Sequence, residues 1–110
     1  MTITSAICNS FKVEILKAVH NFTAGGANVF NLALYTSSAT LNKSTTAYIT
    51  TNEVATATGY TAKGKALTSV TPVLSSDTAV CDFANVSWTS ASFTSRGCLI
   101  FNDTATGDPA

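Results

Sequence analysis

His20 is the single histidine of the chain, so a nucleophilic or metal centre would be expected to include it. A zinc site or a triad needs partners at recognisable spacing. The chain has no His-x-x-x-His and no Cys-x-x-Cys. At the end of a predicted helix, His20 is better explained by its interaction with the last helical carbonyls. The carboxylates form no acid–base pair. Asp77 and Asp82 fall on opposite faces of a predicted strand, and Glu53 stands alone. Serine is abundant, but no Gly-x-Ser-x-Gly elbow occurs. Gly25-Gly26 precedes a strand rather than a helix, so it makes no phosphate cradle. The residue types therefore predict no catalytic set, no cofactor and no metal, and an enzyme is the last reading.

The three cysteines, Cys8, Cys81 and Cys98, are an odd count. The opening run Met1-Thr2-Ile3-Thr4-Ser5-Ala6-Ile7-Cys8 has no basic region and no long apolar segment, unlike a secretory signal. Synthesis in a cytoplasm without disulfides is expected, with the cysteines as small buried hydrophobes. Sequons at Asn21, Asn42, Asn85 and Asn102 then read as chance matches in a Ser/Thr-rich chain. Arg96 precedes Gly97 and an apolar run. There its guanidinium fork could bind carbonyls or a carboxylate, or simply face solvent at a strand start.

Charge narrows the classes further. Six Lys and Arg are balanced by six Asp and Glu. The cations are scattered and form no basic patch for phosphates, which argues against nucleic-acid binding. No apolar run approaches the roughly 20 residues that span a bilayer. Charged residues are 11% of the chain, under half of the usual ~25%. Two readings follow. Thr-rich strand faces could be exposed, or neighbours in an assembly could cover much of the surface, since charge is depleted at interface cores.

The positioning elements centre on Phe30-Asn31-Leu32-Ala33-Leu34-Tyr35. Here Phe30, Leu32 and Leu34 share one face and Asn31, Ala33 and Tyr35 the other. Thr36-Ser37-Ser38 ends this strand. Upstream, residues 1–9 read as an extended arm. Ser10 is a good N-cap for a helix over residues 10–22 with a wide apolar arc, ended by Thr23-Ala24-Gly25-Gly26. Downstream, Ala47-Tyr48-Ile49-Thr50 and Lys65-Ala66-Leu67-Thr68-Ser69-Val70 read as strands, with Pro72 at an end or edge. Ser75-Ser76-Asp77 is a turn before the strand Thr78-Ala79-Val80-Cys81-Asp82-Phe83, which Asn85-Val86-Ser87-Trp88 continues past a corner. Ser92-Phe93-Thr94 leads into the buried closing strand, residues 96–101. Residues 103–110 read as a mobile polar tail. The expectation is one domain over residues 1–110, with a β-rich core over 28–102. It is mostly β (α+β), an antiparallel β-sandwich of about six to eight short strands with one N-terminal helix packed on it.

Several segments in order resemble a known family. They are Ser10-Phe11-Lys12-Val13-Glu14-Ile15-Leu16-Lys17, then Leu32-Ala33-Leu34-Tyr35-Thr36-Ser37-Ser38-Ala39-Thr40-Leu41, and Thr51-Asn52-Glu53-Val54. Thr58-Gly59-Tyr60-Thr61-Ala62, Asp82-Phe83-Ala84-Asn85-Val86-Ser87-Trp88 and Phe93-Thr94-Ser95-Arg96-Gly97-Cys98-Leu99-Ile100-Phe101-Asn102 follow. Together they resemble the small virion structural proteins of tailed bacteriophages. The set carries the likeness, and no single motif does. Where the family often has Gly-Gly this chain has Lys63-Gly64, implying that only Gly64 needs unusual backbone angles. Cys98 replaces a small Ala.

The resemblance implies a non-enzymatic component of a virion. Within that class the reading is a capsid cement (decoration) protein on the capsid surface, bound over capsomer joints. Its partners would be the major capsid protein and copies of itself, as a homotrimer. A head–tail or tail component is the alternative. A receptor- or carbohydrate-binding module is a further one, with Tyr35, Tyr48, Tyr60 or Trp88 stacking on sugars. The expected shell contacts are Ile3 and Ile7, as apolar anchors on the arm, and Arg96.

Overall fold

The computed structural model describes residues 3–26, 28–56, 59–88 and 93–110. Met1 and Thr2 of the arm, Thr58 of the tyrosine motif and Ser92 before the closing strand lie outside these residues. The described chain is mostly β with one short helix. The elements run α1 (Asn9–Leu16), β1 (Phe30–Tyr35), β2 (Lys65–Ala66), β3 (Ser69–Ser75), β4 (Thr78–Phe83) and β5 (Gly97–Asn102). They form two antiparallel sheets, β2-β1-β5 and β3-β4.

Strand β1 is the middle of the larger sheet, and the closing strand is its full-length partner, from Phe30 opposite Asn102 to Tyr35 opposite Gly97. Opposed residues share a face. Ala33 therefore lies beside Leu99, and Asn31 beside Phe101. This is the more deeply buried face. Ala33 and Tyr35 are fully buried, whereas Leu32 and Leu34 are only half-buried. The small Ala33 leaves room that Leu99 and Phe101 fill, and Leu41, Ala39 and Ala110 complete the cluster. On the opposite face only the Phe30 end is well covered. Phe22 stacks on Phe30 at 4.4 Å between centroids, and Phe83 and His20 approach it at 5.8 and 6.0 Å.

The helix is shorter than the sequence predicts and caps differently. Cys8, not Ser10, holds the N-cap position, and makes no side-chain capping bond. Ser10 lies inside the helix with its hydroxyl buried and unpartnered. The helix stops at Leu16 rather than Phe22. Val19 N–H donates to Glu14 O and Ala18 N–H to Ile15 O, with Ala18 at φ 59°. That is the Schellman pattern, in which glycine usually takes the left-handed position. The early stop frees the following segment to bring His20 and Phe22 onto the sheet, and those contacts offset an alanine strain of roughly 1–2 kcal/mol. No helix residue is fully buried, although its wide apolar arc predicts a helix packed on the sheet.

The other departures are local. Ala47-Tyr48-Ile49-Thr50 forms only one bridge, Ala47 to Pro109, instead of a strand. The expected strand over residues 65–70 divides into β2 and the start of β3. Pro72 sits inside β3 rather than at its end, at an irregularity between Val70 and Val73, and β3, paired only with β4, is the edge strand the proline predicts. Residues 85–88 form no strand. The turn at Ser76-Asp77 is as expected, with Ser76 at φ 55°. Residues 103–110 are packed rather than a free tail. Asn102 N–H donates to Pro109 O, Tyr48 N–H to Asp108 O and Ala110 N–H to Thr46 O. The cysteines are not buried: Cys81 and Cys98 are exposed and Cys8 is half-buried.

Candidate interaction surface

Glu53 organises the region that frames β1. Its carboxylate accepts three hydrogen bonds: from Tyr48 Oη at 2.5 Å, Tyr60 Oη at 2.6 Å and Lys63 N–H at 2.8 Å. The Tyr60 hydroxyl in turn accepts from Leu34 N–H at 3.0 Å. The strand β2 pairs only with Asn31 and Leu32. Beyond it, Tyr60 Oη takes the place of a missing ladder carbonyl, and Val54 N–H donates to Leu34 O. Two of the segments that carry the resemblance, those holding Glu53 and Tyr60, thus form one staple along the edge of β1. Burial, then hydrogen bonding to the Glu53 carboxylate, pushes both Tyr48 and Tyr60 well above the ordinary tyrosine range. Burial pushes Tyr35 up to about 12.

Lys63 closes the staple. It adopts φ 73°, and Gly64 follows at φ 70°, so both positions are left-handed, not Gly64 alone. The Lys63 ammonium reaches Asp103 at 3.0 Å and Asp108 at 2.9 Å. Asp108 and then Asp103 raise its pKa. Those contacts explain how a non-glycine residue holds this conformation. Gly64 has no such freedom. A Cβ there would run into the Leu32 carbonyl.

His20 is neither at a helix end nor exposed. It is buried between α1 and β5. Asn102 Oδ1 accepts from Thr104 N–H and Ala105 N–H, which turns its Nδ2 toward His20 Nδ1 at 3.1 Å. Nδ1 is then an acceptor, and Nε2–H donates to Glu14 Oε1 at 3.0 Å. The arrangement joins helix to sheet. Among the described residues no group of His, Cys, Asp or Glu could hold a metal ion. Asn102 is fully buried, so its sequon is closed in the folded chain.

Ile3, Ile7 and Arg96 come together around one cavity of about 550 Å³, lined also by Phe11, Phe22 and Leu99. They are not equivalent. Ile3 packs against the core, bridges to Leu41 and lies close to Gly97, so it is a structural residue rather than a free anchor. Ile7 is 62% exposed. Arg96 is exposed on the rim, its backbone N–H on Tyr35 O, with no carboxylate paired to it among the described residues. Of the aromatic residues considered for sugar stacking, Tyr35 and Tyr60 are buried and cannot serve. Trp88 is half-buried, with the Lys65 ammonium 5.4 Å from its ring centre.

Sequence reasoning missed two groups of exposed apolar residues. Val13, Ile15 and Leu16 stand out from α1, with Leu16 88% exposed. Val70, Val73, Leu74 and Val80 stand out from the β3–β4 hairpin. The hairpin contacts the rest of the fold mainly at its base, through Phe83 against Phe22 and Phe30 and through Thr71 Oγ1, which accepts from Ala24 N–H. The 3.6-residue and two-residue periods that flag these residues as apolar faces do not say which faces find a partner within the chain. No helix among the described residues is long and apolar enough to cross a membrane. No family model, curated protein or solved structure matches this chain.

Proposed function

We propose that this chain is a non-enzymatic structural component of a tailed-bacteriophage virion, and within it a capsid cement protein contacting the major capsid protein and copies of itself. One observation carries the reading beside the sequence resemblance. A chain with only 11% charged residues leaves large apolar side chains exposed on both its helix and its hairpin. Isolated exposed apolar residues are ordinary, but clusters of them on a nearly uncharged surface suit burial against neighbours. The same reading assigns shell contact to Ile7, Arg96 and the outer side of α1, with Ile3 holding the arm in place.

The test is the copy number in purified particles, measured by quantitative mass spectrometry against the major shell protein. Cement predicts hundreds of copies. A dozen or fewer would move the chain to the head–tail junction or tail. Absence from particles would overturn the virion reading altogether.

A further inference from the structure

We propose that the chain self-associates across a two-fold axis by antiparallel pairing of β4 with β4 of a second copy. An unpaired strand edge invites another strand, and folds usually block such edges. Two of the four edges here are blocked and a third is engaged at one end. Strand β2 has only two residues, and one of them is Lys65. The outer side of β5 is engaged at its last residue, where Asn102 N–H donates to Pro109 O. Strand β3 carries Pro72 and an irregular register between Val70 and Val73. Strand β4 has neither proline nor irregularity, and its residues are exposed up to Phe83. Among the described residues, no backbone hydrogen bond from outside the hairpin reaches Thr78–Phe83.

A second copy fits this edge better than a charged partner. The hairpin strands carry one ionisable side chain besides the cysteine, Asp82, and Asp77 lies in the turn. An acidic or basic strand would find almost no counter-charge. An identical strand meets no repulsion, because antiparallel pairing moves each Asp82 away from its own copy. Centred on Cys81, Asp82 lies opposite Val80 of the second copy. Centred on Val80, it lies opposite Thr78. The exposed Val73 and Val80, which pair within the hairpin, would then continue into a four-stranded sheet. An isologous contact of this kind closes as a dimer, not as the trimer implied by the resemblance.

The geometry supplies its own probe. A two-fold antiparallel pair sets one residue opposite its own copy, so both Cys81 side chains fall on the same face. Their Cα atoms are about 5 Å apart when the pair centres on Cys81 and about 8 Å when it centres on Val80. The experiment uses the full chain with Cys8→Ser and Cys98→Ser, leaving Cys81 as the only thiol. Sedimentation equilibrium should give twice the 11.4 kDa chain mass, and a short bismaleimide should link the two copies through Cys81. Ala79→Glu, which adds a charge to the edge, should weaken the dimer at least roughly tenfold, with the far-ultraviolet spectrum confirming a folded chain. A monomer up to millimolar concentration, a trimer, or a dimer that Cys81 does not link would each overturn the proposal. The mass and the cross-link do not depend on how Ala79→Glu folds.

Discussion

Replacing Glu53 by Gln tests whether the staple along β1 holds the fold as its geometry requires. The carboxylate accepts from Tyr48, Tyr60 and Lys63 N–H. A hydrogen bond to a charged acceptor contributes about 1.5–3 kcal/mol and a neutral one about 0.5–1.5. Glutamine keeps one acceptor oxygen and turns a donor toward groups that are themselves donors. The Tyr48 hydroxyl can rotate to accept, so that bond survives without charge assistance. With Glu53 half-buried and the three bonds coupled, the expected cost is about 2–3 kcal/mol. That is a large share of the roughly 5–15 kcal/mol typical of a domain. Urea unfolding followed by Trp88 fluorescence measures it, because Trp88 lies 6.2 Å from the Tyr60 ring. A double-mutant cycle with Tyr60→Phe should give a coupling above about 0.5 kcal/mol. A single-mutant cost below about 0.5 kcal/mol, with an unchanged urea slope, would refute the reasoning.

Tyr60→Phe should cost about 1–2 kcal/mol more than Tyr48→Phe in the same assay. It also strands Leu34 N–H, whose acceptor is the Tyr60 hydroxyl. Gly64→Ala should cost more than about 3 kcal/mol or prevent folding, since it combines a left-handed φ with a clash against the Leu32 carbonyl; expression and thermal melting report it. Stability should also fall in alkali. The folded chain holds the Tyr35 proton to about 12 against 10 for the free side chain. The tyrosine contribution is therefore intact below pH 10 and is lost as pH rises toward 12. Unfolding midpoints at pH 9, 10 and 11 check the direction, and a constant midpoint across them would contradict it.

Local pattern was enough for what depends on short-range chemistry. The alternation in residues 30–35 located β1, the turn residues at 75–77 located the β3–β4 hairpin, and the apolar run after Arg96 located β5. The resemblance segments also marked Glu53 and Tyr60 without revealing that they meet. The helix end was not legible, because Ala18 takes a position that favours glycine only when tertiary contacts by His20 and Phe22 compensate. The packing of residues 103–110 was equally hidden, since a polar segment looks free until Lys63 supplies the partner for Asp103 and Asp108.

By itself, then, the sequence determined that this is a β-rich, weakly charged chain, since composition and spacing are properties of the chain alone. Only the tertiary structure decided which apolar faces are covered. Burial depends on residues distant in sequence, and so do the Glu53 staple, the enclosure of His20 and the exposure of the helix and of β4.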